Sequence, residues 1–455
     1  MSRSGLRRPA RSGALGVVLL LAVASTVGAT PALAAKSKPG SKSKATTTTT
    51  TVAGCASNAG SSPAPVTPNG PTADAVVAQE ASSGQPRVEL VQFPRPSGPG
   101  NPWSQWGQGL VLPDGRFLSA MGNHLGKDGN AYLFSYDPTT QKVTRFADVR
   151  SLVGDDLDWG YGKVHGQIVA GPCGEAYFAT YWGTRTGLAY TAKYPGDVMF
   201  RIDPTTLAVT SLGAVVPQRG IPSLAGPPDH SLVFGEAVDP TAGTEGAERG
   251  TFFALDPTTG KVVFRQDVPT HTGFRNVLVG PDDHAYVASD GGHLLEYVPG
   301  ATEMRVYPKT LPGGGTLRAS TAPARDGTVY GATQNPDQFF ALKTDGTIES
   351  LGTPQSYTAS MAVQPDGSAF YSVPGAHGEA EGIGAPLVAV DTTTGKQTTL
   401  VRLGDLVKKK LGLSTAGSYD VVLDAAHRRL YVGLNTGATS DVPWGQVVLA
   451  IVDLP

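Results

Sequence analysis

Only two cysteines, Cys55 and Cys173, occur in 455 residues, which excludes a disulfide-stapled miniprotein, and neither has the neighbours of a thiolate metal site. Charged residues are scarce at 16%, and the formal net charge is −2, so a coiled coil or a highly charged disordered chain is excluded too. Beyond residue 34 no apolar run approaches the roughly 18 residues of a membrane helix. Helical periodicity is almost missing as well. Turn formers are present in excess: 58 Gly and 36 Pro accompany 40% hydrophobic residues, enough for a large core cut by many turns.

Residues 1–34 read as a secretory signal peptide: Arg3, Arg7, Arg8 and Arg11 precede the apolar run ALGVVLLLAVA, and small residues lead to Ala32-Leu33-Ala34. The expected location is therefore secreted, extracellular or cell-wall associated. Arg7-Arg8 also fits the twin-arginine route, although Pro9 follows it directly. Residues 35–80 form a disordered Ser/Thr/Lys/Pro-rich linker with six consecutive Thr at 46–51, which cannot bury enough apolar surface to fold alone. Cys55 has three readings here: a disulfide with Cys173, a lipobox cysteine after Val52-Ala53-Gly54, or a free thiol. The first 80 residues hold eight basic and two acidic side chains, leaving 28 basic and 36 acidic, a net −8, for residues 81–455. An acidic body argues against nucleic acid as partner, because neutralising phosphates needs a clustered basic surface.

Residues 81–455 repeat one pattern: an apolar strand, a PDG-type turn, a strand with an aromatic, a variable loop, a third strand, a DPTTG-type turn and a fourth strand. The first turn stands at Pro113-Asp114-Gly115, Pro172-Cys173-Gly174, Pro281-Asp282-Asp283, Arg325-Asp326-Gly327 and Pro365-Asp366-Gly367, with looser forms at Pro228 and His427. The second stands at Asp137, Asp203, Asp256 and Asp391. Pro presets the bend, Asp caps it and Gly accepts its backbone, so these acids are structural. Repeats of about 40 to 60 residues with four strands each predict an all-β, seven-bladed β-propeller. The last repeat has three strands, so Arg87–Phe93 is expected to supply the fourth and close the ring.

GPCGEAYF at 171–178 and RIDPTT at 201–206 resemble the repeats of secreted bacterial propellers of the YVTN and virginiamycin-lyase-like group. Propeller polysaccharide lyases are similar at the same level. The resemblance runs over roughly residues 87–455 and implies fold; it matches no complete set of catalytic positions.

Strand phase gathers a rim. Counting back from the first turns, the inner strands start at Trp106, His165, Gly220, Phe274, Arg318, Thr358 and Tyr419, and the returning strands end near His124, Tyr181-Trp182, Glu236, Asp290, Gln334, His377 and Asn435. The long loops fall on this face, which makes it the default site. His165 and His124 can act as base and acid, hold a divalent metal, or simply bond loop backbone. Arg275 and Arg318 suit a carboxylate or an inter-blade ion pair. Tyr181, Trp182, Trp106 and Tyr419 suit sugar stacking or packing. His230, His284, His293, His377 and His427 fall in turns or exposed positions and are left out of the chemistry. The pattern points to an exported enzyme acting on an acidic polysaccharide by β-elimination, with His165 as base, His124 or Tyr181 as acid and no certain cofactor. The alternative is a non-catalytic propeller that binds cell-wall glycan or protein. Opening of a small cyclic compound is a third reading, drawn from the virginiamycin-lyase-like repeats alone.

Overall fold

The computed structural model describes residues 72–95, 103–123, 125, 128–154, 159–181, 194–238, 250–268, 277–376, 384–438 and 445–455, all within the compact unit Val52–Pro455. The expected signal peptide and most of the expected linker lie outside them.

The turn chemistry sets the sheets. Asp137, Asp203, Asp256 and Asp391 each accept a backbone N–H two residues on through Oδ1. Asp114, Asp326 and Asp366 do the same in the first turns, where Gly115, Gly327 and Gly367 take φ of 87°, 86° and 74°. Between these bends the chain forms seven antiparallel sheets, the blades of a β-propeller. Blade 4 shows the plan: Val277–Val279, Ala285–Ala288, His293–Tyr297 and Arg305–Thr310 follow one another from the inside out.

In blades 1, 2 and 5 the aromatic after the first turn tacks the blade to a neighbour. Tyr177 of blade 2 donates to the carbonyl of Pro257 in blade 3 at 3.0 Å, and Tyr330 of blade 5 to that of Gly367 in blade 6 at 3.3 Å. Phe117 of blade 1 stacks on Tyr431 of blade 7 at 4.7 Å. All three rings bury apolar area at a blade interface, and the two tyrosines also satisfy their hydroxyls there.

Arg87–Gln92 pairs with Gln446–Asp453 from Arg87↔Asp453 to Gln92↔Val448, so the N-terminal strand closes the ring as expected. The boundary expected at residue 80 is corrected. Val76–Gln79 adds a strand outside Arg87–Gln92, and Thr72–Asp74 pairs with Lys142–Asp148 of blade 1, so the body begins at least as early as Thr72. Polar Thr, Asp and Gln hide these edge strands from a reading of composition, because an edge strand buries few side chains. The closing interface carries a polar clasp. Asp420, fully buried, accepts from Gly109 N at 2.8 Å, from Ser119 at 3.2 Å and from the Gln105 amide. Asn435 exchanges two 2.8 Å bonds with the Gln105 backbone.

Helical structure is confined to links. Val149–Val153 is capped by Asp148, and Leu403–Leu411 carries Lys408, Lys409 and Lys410 in its last turn and ends at Gly412 with φ 72°.

Candidate functional site

Inner chains do not run as smooth strands up to the long-loop rim. The register shifts between Leu317 and Ala319, between Ser418 and Asp420, and between Gly220 and Ser223. These bulges set Arg318, Tyr419 and Ile221-Pro222 out of the ladder. A bulge re-aims a side chain at the end of a strand. Blade 2 differs from expectation: its inner strand pairs only over Val169–Ala170, and the chain before it meets the sheet through an isolated bridge, Lys163↔Tyr181. Close inter-blade approach explains the difference. A Cβ on Gly166 would stand 2.9 Å from Leu224 N, and one on Gly107 would stand 2.6 Å from Gly166 O.

Five of the expected site residues come together on this rim. Trp106 lies 5.0 Å from Tyr419 between ring centroids, and His165 lies 5.6 Å from Tyr181. Arg318 sits over Tyr419 at 5.8 Å and over Tyr357 at 5.2 Å, and its Nε donates to the Tyr357 hydroxyl. Lys163 Nζ lies 4.3 Å from the Trp106 ring and 5.9 Å from that of Tyr181. Tyr357, Arg318, Tyr419, Trp106, Lys163, Tyr181 and His165 thus form an arc across blades 5, 6, 7, 1 and 2. Two cations are held on aromatic faces, where the ring quadrupole attracts them.

Lys163 and Tyr357 were missed. Both carried a signal, since Lys163 stands two residues before His165 and Tyr357 one before Thr358, yet each lies just outside the counted strand starts. His124, Trp182, Arg275 and Cys55 lie outside the described residues. Cys173 is disulfide-bonded and occupies the Gly171–Glu175 turn, at the other end of strand Ala176–Ala179 from Tyr181.

His165 is 3% exposed, and its Nδ1 lies 3.1 Å from the carbonyl oxygen of Pro222. A carbonyl only accepts, so Nδ1 carries the proton and the ring lone pair lies on Nε2. Asp197 anchors the segment that leads to Pro222: its Oδ2 takes Ile221 N at 2.7 Å, and its Oδ1 takes the Tyr194 hydroxyl at 2.7 Å. Burial pushes the Asp197 carboxyl up to about 7, against those hydrogen bonds, which pull it down. Beneath the arc, Gln167 donates to Gln108 at 2.9 Å and Gln108 to the carbonyl of Val421 at 2.9 Å, joining blades 2, 1 and 7.

His165 belongs to no cluster of metal-ligating groups among the described residues. The cluster found there is Asp282, His284 and Glu296, on the first-turn face of blade 4. No helix of the described residues is long and apolar enough to cross a membrane.

The fold has solved counterparts. A catalytically inactive virginiamycin B lyase from Staphylococcus aureus, with quinupristin, aligns over 80% of this chain and 99% of its own, at 9% identity and a TM-score of 0.51. An oligogalacturonate lyase from Vibrio parahaemolyticus aligns over 85% and 98%, at 11% identity and a TM-score of 0.51. At such identity the likeness is one of fold. No protein-family model matches the chain, and no curated protein matches it.

Proposed function

We propose that the rim arc binds an acidic polysaccharide and that the exported protein cleaves it by β-elimination at a uronate. The observation that carries this reading is the arc in which Lys163 and Arg318 lie on aromatic faces and Lys163 shares the Tyr181 ring with the His165 imidazole. Rings suit the flat faces of sugars, and the two cations suit a carboxylate. In the elimination, His165 Nε2 takes the proton from the carbon bearing the carboxylate. The electron pair of that C–H bond becomes a carbon–carbon double bond as the neighbouring C–O bond breaks. The leaving oxygen then takes a proton from Tyr181 or His124. Lys163 and Arg318 offset the negative charge that builds on the carboxylate, which is where fixed charge lowers a barrier most. The solved counterparts include an oligogalacturonate lyase, and this fits the proposed substrate class.

The test is ultraviolet absorbance of the unsaturated product after incubation of full-length protein with pectins, alginate, glucuronan and ulvan. His165→Ala is expected to lower the rate by about 10²-fold or more while glycan binding is kept. Lys163→Ala is expected to raise KM more than it lowers kcat.

A non-catalytic glycan- or protein-binding platform is the second reading, favoured by burial: His165 and Arg318 are each 3% exposed and Tyr419 is 1% exposed, as in a rigid floor. Absence of product from every uronate polymer, with wall-glycan binding unchanged in His165→Ala, decides for the platform.

A further inference from the structure

The residue facing the turn aromatic varies from blade to blade, and in blade 2 it is Arg201 opposite Tyr177. In blades 3, 5 and 6 that partner is Ala254, Ala341 and Val390. In blade 4 it is Glu296, paired with Tyr286 and 3% exposed. A buried carboxylate costs several kcal/mol of desolvation by order of magnitude unless it is matched. Its partners converge. His284 Nδ1 lies 2.7 Å from Glu296 Oε1 and 2.8 Å from Asp282 Oδ2. The Tyr286 hydroxyl lies 3.3 Å from Glu296 Oε1 and 3.2 Å from Asp282 Oδ2. Arg305 holds the same carboxylate, with Nε 2.5 Å from Oε2 and Nη2 3.1 Å from Oε1.

Carboxylate oxygens only accept, so one imidazole proton is shared between two of them and one phenol proton is spread over the same pair. Two protons thus sit where a single divalent charge would meet Glu296 Oε1 and Asp282 Oδ2 at once. We propose that Asp282, His284 and Glu296 form a divalent transition-metal site that staples the first turn of blade 4 to its third strand. One imidazole with two carboxylates suits Zn²⁺, and Mn²⁺ binds such a set more weakly. A hard ion such as Ca²⁺ prefers oxygen ligands alone. The ion takes the place of the Nδ1 proton, and the ligating imidazole is neutral with its one proton on Nε2. Zn²⁺ holds its ligands at about 2.0–2.2 Å, so the ligand atoms move apart by roughly half an ångström. Asp282 and His284 are on a part-exposed turn that can make this movement. Arg305 remains on Oε2. The site is on the face opposite the rim arc and owes nothing to the reaction proposed there.

Chelator-treated full-length protein is titrated with Zn²⁺ by calorimetry, and thermal unfolding is followed with and without the ion. One ion per chain is expected in the wild type, with a Zn²⁺-dependent rise in Tm. Affinity is expected to fall at least about tenfold in His284→Ala and Glu296→Gln, and to be unchanged in His165→Ala. Asp282→Asn changes an exposed turn residue that still caps His284 N, so it gives the same reading if a variant at buried Glu296 fails to fold. No saturable binding by the wild type, or equal affinity in His284→Ala and Asp282→Asn, overturns the proposal. Loss of binding in His165→Ala alone moves the ion to the rim.

Discussion

Aspartate plays two opposite parts in this protein, and the difference lies in what surrounds each carboxylate. At Asp137, Asp203 and Asp256, slight burial works against ionisation, but the Thr N–H and hydroxyl bonds outweigh it and hold the carboxyl below its usual range. At Asp391 the Thr394 hydroxyl and amide bonds dominate from the start. A depressed carboxyl adds stability above its unfolded value of 3.8, and that stability is lost as pH falls through the folded value. Asp197 has the reverse sign, since burial raises it from 3.8 to about 7. Its contribution is complete below 3.8 and is lost as pH rises from there to about 7, with a slope of at most about 1.4 kcal/mol per pH unit. Urea unfolding between those limits is expected to show a decline in stability that is shallower in Asp197→Asn. Identical slopes for the two proteins would mean that Asp197 stays ionised throughout. The turn aspartates were legible from their neighbours in sequence. Asp197 was not, because its partners Ile221 and Tyr194 meet it only through the packing of blade 3 and the loop before blade 2's third strand.

At the scale of strands, the turn-to-turn spacing located every blade but not the bulges that aim the rim residues. A bulge depends on which backbone lies alongside, and here that is the neighbouring blade. Gly417 illustrates the constraint. It stands at the register shift between Thr415 and Gly417 with φ 99°, and a Cβ there would be 2.4 Å from Gly375 O. Gly412 has φ 72° with nothing within 4 Å of its Cβ position. Gly417→Ala is expected to cost about 2–4 kcal/mol, from backbone strain plus overlap, against about 1 kcal/mol for Gly412→Ala from strain alone. The shift in urea midpoint at constant m-value measures both. Equal shifts would show that the blades separate freely at this point. The same inter-blade closeness hid Lys163 and Tyr357 from the strand count: each acts from a segment that pairs poorly within its own sheet.

For the whole ring, closure is the controlling event. Without Arg87–Gln92, the strand Gln446–Asp453 would present an open edge of mostly apolar residues. A deletion of residues 1–80 keeps that closure while removing the two outer edge strands and Cys55, whereas a deletion of 1–93 opens it. With Cys173→Ser in both to avoid a free thiol, the shorter deletion is expected to keep the oligomeric state of the full-length protein with a modestly lower Tm, and the longer to aggregate, as read by size-exclusion chromatography. Equal solubility would show that the other six blades hold the ring without the strand. The all-β repeat, the seven blades and the closing strand follow from local turn chemistry and strand period, which act over a few residues and are written in order along the chain. Which cation lies on which ring, which carboxylate is buried and where His284 meets Glu296 follow only from curvature of the ring and inter-blade distance. Those arise when seven sheets pack together, and no single repeat contains them.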